Sequence, residues 1–123
     1  MIRLLIVDDI PSTRDNLQKL LGFENDIEVC GTAGDGRQAV DEAKRLQPDI
    51  VLMDVNMPVL DGLSACRRLR DDARTASLPV LIISSQPVGE RRLAECRADR
   101  FLRKPFDITR LVDEIETCVR DSA

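Results

Sequence analysis

The sequence predicts an α/β fold: a doubly wound parallel sheet of five strands in the order 2-1-3-4-5, flanked by five helices. Two observations carry this. Along 123 residues the apolar pattern switches five times from a short continuous run to helical spacing, which reads as five strand-then-helix units. The runs are apolar at successive positions, as suits strands covered by helices on both faces. The right-handed crossover rule then leaves few topologies, and 2-1-3-4-5 is the usual order for five such units.

Residues 2–7 (IRLLIV) form the first strand. Residues 11–21 (PSTRDNLQKLL) form a helix, with Pro11 suited to its first turn and Leu17, Leu20 and Leu21 on one face. Residues 27–33 (IEVCGTA) read as a half-buried strand. Residues 36–47 repeat helical spacing through Ala39, Val40, Ala43 and Leu46, and Pro48 ends that helix. Residues 49–54 (DIVLMD) form the third strand, and residues 61–70 a helix with Leu63, Cys66 and Leu69 inward. Residues 79–84 (PVLIIS) are the most apolar strand. Residues 88–97 form a short helix weakened by Gly89, residues 100–103 (RFLR) a brief fifth strand, and residues 107–120 a final amphipathic helix.

Composition narrows the class of function. The length suits one domain, residues 1–123, and 43% hydrophobic residues supply a sizeable core. Phe23, Phe101 and Phe106 are the only aromatics, so there is no platform for stacking bases, and a net charge of −4 argues against a nucleic-acid surface. Cys30, Cys66, Cys96 and Cys118 are widely spaced and the chain has no His, which speaks against zinc or a redox dithiol. Scattered thiols fit a reducing cytoplasm. Neither a secretory leader nor an apolar stretch near the roughly 18 residues of a membrane span is expected.

In a doubly wound sheet the chemistry gathers at the carboxyl ends of the strands. Asp8 and Asp9 end the first strand and Asp54 ends the third, and in the order 2-1-3-4-5 these strands are neighbours. A lone Asp at a strand end is often a helix cap, and Asp9 could cap the helix at Pro11. Three acids at adjacent ends repel one another unless a cation joins them. Mg²⁺ takes oxygen ligands and keeps several waters, so one or two carboxylates and a backbone carbonyl suffice. Ser84 ends the fourth strand and Lys104 follows the fifth. An ammonium and a hydroxyl beside a carboxylate and Mg²⁺ meet the needs of a phosphoryl group, with Asp54 as attacking nucleophile.

The stretches "LLIVDD", "DIVLMDVNMPVLDG", "LPVLIISS" and "FLRKPF" stand in the order and spacing of a response-regulator receiver domain, which the chain resembles over essentially its whole length. That resemblance implies a flavodoxin-like, CheY-like fold and a switch in two-component signalling. It implies Asp54 as phosphoacceptor, Asp9 and Asp54 as direct Mg²⁺ ligands, Asp8 acting through coordinated water, and the backbone carbonyl of Asn56 as a further ligand. Ser84 and Lys104 would contact the phosphoryl group, Phe101 would change rotamer with Ser84 on activation, and Lys104–Pro105 would be cis.

Arg97 stands where family members commonly carry a helix-ending Gly, and Ser84 replaces the commoner Thr. Ser85 could compete for the role of Ser84, though register favours Ser84. Arg91, Arg92, Arg97, Arg100, Arg103, Lys104 and Arg110 crowd residues 90–110, either as a solvated face or as a partner surface. By resemblance, the partners are a histidine kinase or phosphotransfer protein, and a second copy or an output domain at the helix 4–strand 5–helix 5 face. Turnover of external substrates is not expected, since an Asp-nucleophile phosphatase needs an acid two residues past the nucleophile, where this chain has Asn56. A degenerate receiver would lack one of the chemical positions, and a flavin module would want flanking aromatics. After the last helix the sequence closes on CVRDSA, as a stand-alone receiver or one excised from a larger protein.

Overall fold

The computed structural model describes residues 1–122. Five strands and five helices alternate: β1 (Ile2–Val7), α1 (Pro11–Leu21), β2 (Ile27–Ala33), α2 (Gly36–Leu46), β3 (Ile50–Asp54), α3 (Gly62–Asp71), β4 (Val80–Ser84), α4 (Glu90–Cys96), β5 (Arg100–Arg103) and α5 (Ile108–Ser122). The strands pair in parallel in the order β2-β1-β3-β4-β5. The sheet thus grows from β1 in both directions, and the winding reverses between β1 and β3.

Strands β3 and β4 are buried at every residue, which is why their sequences carry no alternation. Alternate side chains feed two cores. Val7, Val51, Met53 and Ile82 pack with α2, α3 and α4, whereas Ile6, Leu52, Leu81 and Ile83 pack with α1 and α5.

Several element ends differ from expectation, each for a local reason. Strand β3 begins at Ile50 because Asp49 turns its carboxylate onto the amide of Arg3 at 2.8 Å. Strand β4 begins one residue after Pro79. Helix α3 begins at Gly62 because Asp61 is its cap and accepts from the Ser64 amide at 2.8 Å. Asp107 likewise stands before α5 and accepts from the Arg110 amide at 2.8 Å. Gln47 leaves α2 in a left-handed conformation, φ 49°. Helix α4 is cut to seven residues by an extended Gly89 and by Arg97, which takes the left-handed turn that glycine usually makes, φ 57°. The α1 stripe is narrower than its leucines suggest: Leu17 and Leu21 are buried, but Leu20 is 47% exposed.

Candidate acidic site at the carboxyl edge of the sheet

The paired register sets the site. Val7 pairs with Met53, so the residues that follow, Asp8 and Asp54, leave adjacent strands side by side. Asp54 pairs with Ile83, which places Ser84 next along the neighbouring strand. Ser84 in turn pairs with Arg103, and the Lys104 amide donates to the Ser84 carbonyl at 2.9 Å. One edge therefore carries Asp8, Asp9, Asp54, Ser84 and Lys104, drawn from four segments of the chain.

Carboxylate oxygens of Asp8, Asp9 and Asp54 lie within 4.8 Å of one another. The Asp8 side chain is fully buried and Asp54 is 7% exposed. The basic partner that their sequence surroundings lack comes from afar: Lys104 Nζ stands 3.5 Å from Asp8 Oδ2 and 3.7 Å from Asp54 Oδ1. One ammonium against three carboxylates leaves a surplus of negative charge. Burial raises the proton affinity of Asp54, the Lys104 charge opposes that rise, and the Asp8 and Asp9 charges reinforce it.

Asp8 Oδ1 accepts from the Ile10 amide at 2.9 Å, whereas Oδ2 is buried without a hydrogen-bond partner. Asp54 Oδ1 accepts from the Val55 amide at 2.9 Å. Asp9 does not cap α1: Ile10 occupies that position and offers no side-chain bond. Three clustered carboxylates, one of them with a buried oxygen that no hydrogen bond reaches and that only the Lys104 ammonium at 3.5 Å offsets, fit a hard divalent cation, since oxygen donors are what Mg²⁺ takes.

The other expected residues fall around this cluster. Ser84 is fully buried and its hydroxyl accepts from the Gln86 amide at 3.0 Å, while Ser85 is exposed. Asn56 lies exposed in the loop two residues beyond Asp54. Phe101 is partly buried against the core under α4. The Lys104–Pro105 bond is cis. One neighbour escaped the sequence reading: Arg14 of α1 donates from Nη1 to the Asp8 carbonyl at 2.6 Å. Only the rotation of α1 could have shown it, and Leu20 makes that rotation hard to read.

The model of the response regulator receiver domain matches residues 4–116. The chain belongs to that family. The protein-glutamate methylesterase/protein-glutamine glutaminase of Methanococcoides burtonii is 34% identical to this receiver, covering 98% of it and 36% of the relative. The DNA-binding dual master transcriptional regulator RpaA of Synechocystis is 35% identical, covering 98% and 50%. The receiver thus spans between about a third and a half of the length of these relatives. Among solved structures it resembles the response regulator domain of Thermotoga maritima CheB, with TM-score 0.80, 29% identity and coverage of 99% and 96%. It also resembles the chemotaxis protein CheY4 of Vibrio cholerae, with TM-score 0.85, 28% identity and coverage of 96% and 98%. Five parallel strands in this order with five helices are the flavodoxin-like receiver fold. Membership places the chain in two-component signalling, with a role regulated by phosphorylation. Among the described residues, no helix is long and apolar enough to cross a membrane.

Proposed function

We propose that this chain, as one receiver domain over residues 1–123, accepts a phosphoryl group on Asp54 and signals by the change that follows. The observation that carries the reading is the convergence of the Asp8, Asp9 and Asp54 carboxylates, which the single Lys104 ammonium does not balance. Asp9, Asp54 and the Asn56 carbonyl would hold Mg²⁺, with Asp8 acting through coordinated water. Bound there, Mg²⁺ supplies positive charge to offset the phosphoryl oxygens.

The donor is a histidine kinase or phosphotransfer protein. A carboxylate oxygen of Asp54 forms a bond to phosphorus as the donor's phosphorus–nitrogen bond breaks, and the electron pair leaves with the nitrogen. Lys104 trades its contact with Asp54 for one with a phosphoryl oxygen. The Ser84 hydroxyl, now an acceptor from the Gln86 amide, turns to donate to another. Phe101 lies beside the α4 core and follows Ser84, so the face formed by α4, β5 and α5 shifts towards a state that a second copy or an output domain recognises. The absence of a disulfide among the cysteines of the described residues is in keeping with the cytoplasm. The chain turns over no external substrate.

The test uses a small phosphodonor. Label is expected on the wild type only with Mg²⁺, and Asp54→Asn should abolish it; undiminished labelling of that variant moves the acceptor elsewhere. Beryllofluoride with Mg²⁺ should shift the amides of Ser84 and Phe101, and unchanged spectra would refute the switch.

A further inference from the structure

The chemistry above gives Arg14 no role, yet this side chain touches the acid-bearing turn directly. Its guanidinium reaches from the first turn of α1 and donates from Nη1 to the Asp8 carbonyl at 2.6 Å. Among the described residues it has no ion pair. The same Nη1 lies over Gly34, where it would be only 3.1 Å from an added β-carbon. Gly34 follows Ala33, whose carbonyl accepts from the Asp8 amide at 3.1 Å. The guanidinium therefore fills the corner where α1, the end of β1 and the β2–α2 connection meet.

The carbonyl it holds belongs to the Asp8–Asp9 peptide. That unit is planar, so fixing the oxygen fixes the amide of Asp9 as well. Asp8 is then held at its amide by Ala33, at its carbonyl by Arg14 and at Oδ1 by the Ile10 amide, which leaves Oδ2 for the pocket. Among the described residues Asp9 has no such set of anchors, and its direction of departure is set by the plane before it.

We propose that Arg14 is the positioning residue of the acidic cluster: by holding the Asp8 carbonyl it fixes the plane from which both carboxylates depart, and so sets their affinity for a divalent cation. This rests on the Mg²⁺ reading above. Geometry and charge make opposite demands here. As mere positive charge, Arg14 would repel the cation, and its removal would tighten binding. As a positioning residue, its removal weakens binding.

The experiment is a Mg²⁺ titration followed by amide NMR, because the chain has no Trp or Tyr to report optically. Arg14→Met should bind Mg²⁺ roughly tenfold more weakly, the scale on which supporting partners of metal ligands act. Its Asp9 and Ile10 amides should also be shifted before metal is added. Equal or tighter binding overturns the proposal. Should Arg14→Met fail to fold, Gly34→Ala keeps the charge while crowding Nη1, which must give by a few tenths of an ångström and so lengthen its bond to the Asp8 carbonyl. That variant should weaken binding by roughly twofold or more, and an unchanged affinity overturns the proposal equally. A wild type that binds no Mg²⁺ sinks the functional reading instead. The positioning claim is then judged on the metal-free spectra, where undisturbed Asp9 and Ile10 amides in Arg14→Met refute it.

Discussion

The α-carbon of Gly62 lies against the main-chain carbonyl of Asp54, so close that a β-carbon would collide with it. The Gly62 amide also donates to the Val55 carbonyl at 2.9 Å. Helix α3 is thereby seated on the end of β3. Gly62→Ala should cost about 3 kcal/mol, the upper end for overpacking, because the opposing atoms are backbone and cannot turn aside. Urea unfolding followed by circular dichroism measures this; a loss below about 1 kcal/mol would mean that α3 lifts away freely.

The proton affinity of Asp54 gives a pH signature. Burial, its largest cause, raises the folded-state value above the unfolded one. The folded protein therefore holds the proton more tightly. Its stability is greatest below the unfolded value and falls as pH rises through the raised folded value. Asp54→Asn removes that fall. In EDTA the variant should melt higher than wild type at neutral pH, with the gap narrowing in acid and shrinking when Mg²⁺ is restored to both. A variant that melts lower at neutral pH contradicts this.

Val59 supplies a second backbone test. The Leu60 amide donates to the Pro58 carbonyl at 2.7 Å across Val59, which has φ 69° and is 77% exposed. This is a γ-turn with a β-branched residue at positive φ, a strained arrangement. Val59→Gly should stabilise the protein by about 1 kcal/mol, since relief of strain exceeds the added freedom of the unfolded chain. Val59→Ala should bring no such gain, and equal melting of all three proteins would remove the strain argument.

Arg70 ties the opposite edge. Its side chain is 7% exposed and donates to the carbonyls of Leu78 at 2.6 Å and Arg97 at 2.9 Å and to Asp99 at 2.6 Å. Asp99 Oδ2 also accepts from the Val80 amide at 2.7 Å. Arg70→Met should cost about 3 kcal/mol by leaving a carboxylate and two carbonyls short of a donor. Arg91 is 91% exposed on its side chain, and Arg91→Ala should leave the melting temperature unchanged.

The acids were legible because their positions follow from counting. Each closes an apolar strand, and a parallel sheet brings strand ends together. Ser84 was separable from Ser85 for the same reason, since one residue of register turns a side chain from burial to solvent. Arg14, Arg70 and the γ-turn at Val59 were not legible. The two arginines act on backbone carbonyls distant in sequence, and a carbonyl carries no residue-type signal. Lys104 was placed by its position after β5, but its contact with Asp8 depends on four strands stacking in order. The leucines of α1 misled because three apolar residues within five positions cover more of a helix than its neighbours have room to bury.

The two lips of the acidic pocket are not equally free. The loop after β3 is stapled at both ends, by the Gly62 amide on Val55 and by the Gly36 amide on the Leu60 carbonyl at 2.9 Å. Ser84 and Gly89 are tied at their carbonyls by the Lys104 and Leu93 amides, but the residues between them carry, among the described residues, a single bond, from the Gln86 amide to the Ser84 hydroxyl, and the helix beyond starts without a side-chain cap. A load placed in the pocket meets a riveted wall on one side and a hinged one on the other. If Asp54 is the acceptor as proposed, the side towards which its message travels is built into the resting molecule.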